Sequence, residues 1–462
     1  MKNFLKKILI LMPAFFPLYL VKFNVFGLPF NVVEVMVYIA FVIFAYVRLS
    51  GNDDDVFADK MKSFFMRKRT LGDVFKAKFK VFFLPVILFL LASVFALYVS
   101  YSSGEFRLAL GIFKGWIVMP LMYGVMLIFT LNSLEDKKKI FYSYMFSALI
   151  LSAWALYQVI AKDFVTIDGR ASGPFASANY LALYIGPVIC GAFINFWQRV
   201  ENKIFAIDDG VSRTGISSYL MKFLDGKNHH DGEYDYAYFT FEVVVFLASS
   251  LALMYSRSYG GMIGVVSAIF IYAVYEIFFS QYKRFYGSLF KKLVVILAGA
   301  VLIVTAMCSQ IGTQKAKDFL QFDRQSSSSV RIQVWTVAGT LIKENPLFGV
   351  GLGGFENAYK HRASQILKVE PYEKEMLHAH NLILSTYLNI GILGVIAVVW
   401  LLLSVCFRVY TRNFKMLNPA EKRFISVVVS MFIAIVIHGL FDQPLWKNDL
   451  ALIWWTLIAL II

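Results

Sequence analysis

The chain has 462 residues, of which 59% are hydrophobic and only 16% charged, with 45 Phe, 25 Tyr and 8 Trp; its mean hydropathy is +0.64. Soluble globular chains run at about 45–50% apolar and about 25% charged, so a disordered chain, a secreted disulfide scaffold and an ordinary cytosolic enzyme are excluded, and a polytopic membrane protein is left. The net charge of +15 would point to nucleic acid on a soluble protein; on a membrane protein its placement along the chain decides its meaning.

A bilayer core is crossed by about 20 apolar helical residues. That ruler predicts twelve spans, at 5–22, 30–49, 81–100, 109–130, 140–160, 178–198, 238–255, 258–279, 292–310, 379–407, 423–440 and 446–462. All must be helices, because no water is present to satisfy backbone polar groups inside the bilayer. Met1–Lys7 followed by Ile8–Val21 has the outline of a signal peptide, but it lacks a small-residue cleavage site, so a retained first span is expected. Cys190, Cys308 and Cys406 each sit in an apolar run and give neither a disulfide framework nor a zinc pattern.

Charge orients the spans. With the N-terminus in the cytoplasm, the segments 1–7, 48–80, 131–139, 199–237, 280–292 and 408–423 face inward and carry 29 of the 45 Lys and Arg. Nine more lie in one long extracytoplasmic loop, 311–378, between spans nine and ten. The short outer loops and span ends share only seven, which by the positive-inside bias places both termini in the cytoplasm. The inner stretch 199–237, with its His229-His230 pair, reads as solvated loop. In the outer loop, Ser326–Ser329 can cap a helix from about Val330 to Glu344, ended by Asn345-Pro346. Ile332, Trp335, Leu341 and Ile342 fall near one face of it, suited either to the membrane surface or to packing on the rest of the loop.

Four outward patches carry the chemistry: Gly169–Phe175 with Asn179-Tyr180; Tyr255-Ser256-Arg257-Ser258; Arg331 and Trp335 leading to Pro346–Gly351; and His378-Ala379-His380-Asn381 leading to Gly391–Gly394. An arginine at a span end is often only an interfacial anchor. Arg170, Arg257 and Arg331 nonetheless stand where the topology bias disfavours positive charge, and converging guanidiniums suit a diphosphate. Lys114, within span four, is a further candidate cation or a snorkelling one. Histidine suits removal of a proton from a hydroxyl near neutral pH. His378 and His380 lie two apart, about 200° around a helix, so a helix containing both could not turn both to one cavity. His-x-His is also a possible metal pair, with His361 or His438 completing it, but no carboxylate stands at ligand spacing and no metal is expected. Gly349–Gly354 matches G-x-G-x-x-G in form without a βαβ context, and its glycines are expected to allow a tight turn or close approach.

Taken in order, these patches, with His438-Gly439-x-x-Asp442, resemble the bacterial O-antigen ligase / O-antigen polymerase family of membrane glycosyltransferases, over roughly residues 140–445. The resemblance implies an all-α, GT-C-like fold with 1–139 as N-terminal spans, 140–445 as the catalytic region and 446–462 as the last span. It implies an inverting, metal-independent and cofactor-free transferase acting on the outer face of the cytoplasmic membrane. The donor would be an undecaprenyl-diphosphate-linked glycan and the acceptor another glycan, a lipid or a protein, with membrane lipids around the chain and no nucleic acid as partner. Carried over, Arg170 and Arg257 hold the diphosphate, with Arg331 a weaker transfer, and His380 is the base; the extra His378 is a departure from a plain His-Asn pattern. Ligase and polymerase remain alternatives, and a lipid-linked polysaccharide flippase is the reading from another class.

Overall fold

The computed structural model describes residues 1–25, 28–50, 72–131, 133–166, 168–208, 232–278, 327–410 and 417–462. Among these it is helical nearly throughout: α1 (Lys2–Leu11, continued as 3₁₀ turns over Met12–Leu20), α2 (Val32–Leu49), α3 (Gly72–Ser102), α4 (Phe106–Thr130), α5 (Leu134–Ala161), α6 (Ala178–Asp208), α7 (Gly232–Ser256), α8 (Tyr259–Phe278), α9 (Ser327–Glu344), α10 (Gly354–Leu367), α11 (Leu382–Tyr410), α12 (Pro419–His438) and α13 (Asn448–Ile461). A hairpin of β1 (Lys22–Val25) and β2 (Leu28–Asn31) pairs Lys22 with Asn31 and Val25 with Leu28.

Nine helices among the described residues are long and apolar enough to cross a membrane, and each coincides with one of the twelve expected spans. The expected span 292–310 lies outside the described residues, as do the start of the long loop and the His229-His230 pair. The two C-terminal expectations are helices of a different kind: α12 is 20 residues long but carries a charged first turns' worth of sequence, Glu421-Lys422-Arg423, and α13 has only 14 residues. At about 1.5 Å per residue a 14-residue helix is shorter than a bilayer core of about 30 Å.

Local chemistry explains where the helices change. Pro13 and Pro17 cannot donate backbone hydrogen bonds, and α1 continues as 3₁₀ turns there. Pro120 likewise leaves the Trp116 carbonyl without its usual partner, and the preceding turn, Phe113–Val118, widens into a π-helix within α4. Asn31 caps α2 by accepting from Glu34 N at 2.9 Å, and Asn418 and Glu421 form a reciprocal capping box at the start of α12.

The chain divides into two compact units: Met1–Ser143 with Ala300–Leu417 and Val436–Ile462, and Tyr144–Gly299 with Asn418–Ile435. In the first unit α11 packs on α3 and α13 on α4. The segment after α9 forms a small lobe whose core is Val334, Val337, Ala338 and Leu341 of α9 against Phe355, Tyr359 and Ala363 of α10, with Ala379 and Leu388. Helix α9 therefore packs on the rest of its own segment: of the expected face Leu341 is in the core and Trp335 and Ile342 pack partly buried against it, whereas Ile332 is 53% exposed. In the second unit α6 packs against α7 and α8, and Gln198 of α6 donates to the Tyr272 hydroxyl at 2.9 Å.

Helix α11 is broken. Ile390 and Gly391 leave helical geometry, and the turns of Pro346–Gly353 dock into the break. Val350 N donates to Leu388 O at 2.8 Å, Ile392 N to Leu347 O at 3.1 Å and Gly353 N to the Asn389 side chain at 3.0 Å, so the backbone groups freed by the break are satisfied. Gly391 (φ +70°) and Gly349 (φ +67°) are required here, because a Cβ on either would overlap the backbone carbonyl of Leu347 or Tyr387. Gly349, the first glycine of the G-x-G-x-x-G pattern, thus serves a close approach of backbone to backbone.

Candidate active site

Two clusters emerge, one in each unit. The first is built on the loop between α5 and α6. Gln158, in the last turn of α5 and almost fully buried, accepts from Ser172 N (3.1 Å) and Gly173 N (2.8 Å) and donates to Gly173 O (2.7 Å). Thr166 does the same for the neighbouring residue: its hydroxyl donates to Arg170 O at 2.7 Å and accepts from Arg170 N at 2.9 Å.

The guanidinium of Arg170 is held on all sides. Its Nε donates to Ser256 O at 2.7 Å, one terminal nitrogen to Asn179 Oδ1 at 2.9 Å and the other to the exposed Asp168 carboxylate at 3.3 Å. Ala171 N also donates to Tyr255 O, at 3.2 Å. The structure therefore brings the first two sequence patches together, with Arg170 bonded to the residue that precedes Arg257. Arg257 is exposed and adopts a left-handed backbone, φ +48°.

The second cluster is at the start of α11. His378, Ala379 and His380 precede the helix, so the expected conflict of two histidines on opposite sides of one helix does not arise: their rings meet edge to face, centroids 4.1 Å apart. His380 also has φ +48°. Its neighbours are pinned on both sides. Trp335 Nε1 of α9 donates to Ala379 O at 2.9 Å. Asn381 caps α11 by accepting from Ile383 N and Leu384 N, and its amide donates to Leu440 O at 2.9 Å. A non-glycine residue held at positive φ stores strain of about 1–3 kcal/mol, which surrounding contacts such as these must over-determine.

Asp442, on the turn between α12 and α13 and 1% exposed, places Oδ1 3.6 Å from His380 Nδ1. That oxygen also accepts from Gln443 N at 2.9 Å. Burial alone would raise the Asp442 pKa, but His380, with His378 and His438 behind it, overrides this and holds the carboxyl well below the usual carboxylate range. Burial, reinforced by the charge of His380, pulls His378 down to about 3. One ligand atom each from His378, His380 and Asp442 lie within 4.8 Å of one another. The sequence paired the histidines with His361 or His438; the carboxylate that joins them comes from 62 residues further on. His361 is instead on the surface of α10, its ring nitrogen against Asn357 O.

The remaining candidates are placed as follows. Arg331 lies on α9 one turn before Trp335, in the same unit as the histidines. Lys114, in the π-helical turn of α4, is already engaged: it pairs with the buried Glu34 at 3.1 Å, donates to Pro29 O at 2.6 Å and lies 3.6 Å from the Phe30 ring centroid. Tyr38 donates to the same Glu34 carboxylate at 2.9 Å. Sequence reasoning did not single out Gln158, Thr166 or the pairing of Asp442 with His380. An amide in the last turn of an apolar span was the available sign for Gln158; nothing in the spacing connects Asp442 to His380.

Comparison with known proteins points to a family. Residues 244–399 match the O-antigen ligase family, a stretch that holds Arg257, Arg331, His378 and His380. A Rickettsia conorii protein provisionally named a polysaccharide ligase is 25% identical over 364 residues, 74% of this chain and 78% of that protein. A Rickettsia bellii protein of the same name is 23% identical over 353 residues, 74% of this chain and 75% of its own length. An uncharacterized protein of Haemophilus influenzae is 24% identical over 310 residues, 60% of this chain and 73% of the relative. The middle of the chain, residues 244–399, is thus similar to the O-antigen ligase family, and its apolar helices fit a multi-pass membrane protein.

Proposed function

We propose that the protein transfers a glycan from an undecaprenyl-diphosphate carrier to an acceptor hydroxyl on the outer face of the bacterial cytoplasmic membrane, with both termini in the cytoplasm. The observation that carries this reading is the contact of His380 with the buried Asp442. Asp442 faces Nδ1, so the tautomer with hydrogen on Nδ1 leaves Nε2 as the acceptor. That nitrogen takes the proton of the acceptor hydroxyl as its oxygen attacks the anomeric carbon, and Asp442 stabilises the imidazolium that forms. His380 rather than His378 fills the role because it is the imidazole set against the carboxylate, and its side chain keeps 24% exposure through which an acceptor can reach it.

As the glycosidic C–O bond breaks, negative charge grows on the leaving diphosphate. Arg170 and Arg257, joined through the Ser256 carbonyl, are the groups suited to receive it. The guanidinium of Arg170, held by Ser256 O and Asn179, needs no reorganisation during the step, and the chemistry asks for no metal. Attack from the face opposite the leaving group inverts the anomeric centre. Arg331 is a further diphosphate candidate; Lys114, tied to Glu34, is better read as a brace between α2 and α4.

The test is purified protein in nanodiscs with a synthetic undecaprenyl-diphosphate glycan, offered either a lipid or protein acceptor or a second donor molecule. Product formation is expected, and the acceptor used separates ligase from polymerase. His380→Ala is expected to abolish product while donor binding persists. Translocation of the lipid without product would replace the transferase reading with a flippase.

A further inference from the structure

We infer that His378, His380 and Asp442 form a zinc site whose occupation switches transfer off, an inference that rests on the reading of His380 as the base. Three features of the cluster support a cation there. The donor set is two imidazoles and a carboxylate, which suits zinc; magnesium and calcium prefer oxygen donors alone. Three protein ligands with a fourth position open is the coordination of an accessible zinc site.

The geometry is close to what zinc needs. Bonds of about 2.0–2.1 Å in a tetrahedron set neighbouring ligand atoms about 3.3 Å apart. His380 Nδ1 and Asp442 Oδ1 stand at 3.6 Å, and one ligand atom from each of the three residues lies within 4.8 Å of the others. Among the described residues, neither His380 Nδ1, whose nearest carboxylate oxygen is Asp442 Oδ1 at 3.6 Å, nor Asp442 Oδ2 makes a hydrogen bond, although both atoms are buried. Buried polar atoms so placed require a ligand or a bridging group. Lys447, the nearby cation on the turn leading into α13, is paired with Asp449 at 3.6 Å.

The effect on chemistry follows from the imidazole. A zinc ion bridging Asp442 and Nδ1 of His380 takes the Nδ1 lone pair, so the ring proton moves to Nε2. Nε2–H is a donor and cannot accept the proton of an acceptor hydroxyl. The extra histidine, His378, completes the trap: with His380 and Asp442 alone the site would have two ligands.

Zinc binding and transfer are measured separately on the full chain in nanodiscs. Calorimetry and competition with a fluorescent chelator are expected to give one zinc per chain with micromolar affinity, and loss of transfer is expected to follow the same saturation curve, to reverse with EDTA and to be absent with magnesium. His378→Ala, with His378→Asn as a second variant should the first fold poorly, is expected to weaken binding at least about tenfold, since loss of even an outer partner of a metal ligand costs about 10–100-fold. Each variant's own zinc-free rate serves as its reference. Absence of saturable binding, or equal affinity in both His378 variants, overturns the site. Zinc that binds at this affinity without slowing transfer leaves the site standing and overturns His380 as the base.

Discussion

Asp442→Asn isolates the contribution of one buried charge. Asparagine keeps the shape and the oxygen that accepts from Gln443 N, so the turn between α12 and α13 is expected to persist. What disappears is the attraction between a carboxylate and an imidazolium 3.6 Å away. At an effective dielectric of about 20 that attraction is about 4–5 kcal/mol, and the partial exposure of His380 to solvent reduces it. Each 1.4 kcal/mol is about a factor of ten in rate, so kcat should fall about 10²- to 10³-fold. The assay is initial rate at saturating lipid-linked donor with a chelator present, alongside donor KM and the thermal midpoint. Donor KM should change little, because Asp442 faces the base. A kcat within about threefold of the parent, in a protein of unchanged thermal midpoint, would refute the reasoning.

The other predictions concern the parts that hold the two clusters. Arg170→Lys keeps the charge but loses the fork to Ser256 O and Asn179, and is expected to lower kcat/KM for the donor at least tenfold, each charge-assisted hydrogen bond contributing about 1.5–3 kcal/mol; unchanged donor kinetics would make Arg170 an interfacial anchor. Gln158→Leu leaves the buried Ser172 and Gly173 backbone groups unpaired, at about 1–3 kcal/mol each, so it should lower the thermal midpoint and raise donor KM more than it lowers kcat. Trp335→Phe removes one hydrogen bond to Ala379 O, about 1 kcal/mol, and should reduce kcat severalfold with donor KM intact. Gly391→Ala drives a Cβ into the Leu347 carbonyl at a positive φ and should destabilise by about 2 kcal/mol or more, read as a lower thermal midpoint, whereas Gly339→Ala, on the open side of α9, should not.

Nine of the twelve expected spans were legible because hydrophobic length is a strong constraint in a bilayer. Helix α9 was legible from its serine-rich start and its Asn-Pro stop, yet its buried face was not, since Val334, Val337 and Ala338 become a core only once Phe355 and Tyr359 are folded against them. The site divides in the same way. Arg170, Arg257 and His380 stand out because charge and imidazole are rare at those span ends. That Arg170 bonds to the carbonyl before Arg257 depends on two loops 86 residues apart, and the contact of His380 with Asp442 on a turn 62 residues away. No spacing rule relates such positions; helix packing does. Lys114 shows the reverse error, a cation conspicuous in the sequence that the fold has already neutralised with Glu34.

His380 and Arg257 share the same unusual backbone, φ +48°, one in each unit. In that conformation glycine is the residue of lowest strain, so at both positions the chain keeps a side chain where its backbone would rest more easily without one. Inactivation can then be the more durable state. His380→Gly is expected to outlast the parent protein on heating while transferring nothing, and His380→Ala, which loses the imidazole but keeps the strain, to gain no such advantage. Screens that rank variants of this protein by yield or heat resistance would accordingly enrich for inactive ones.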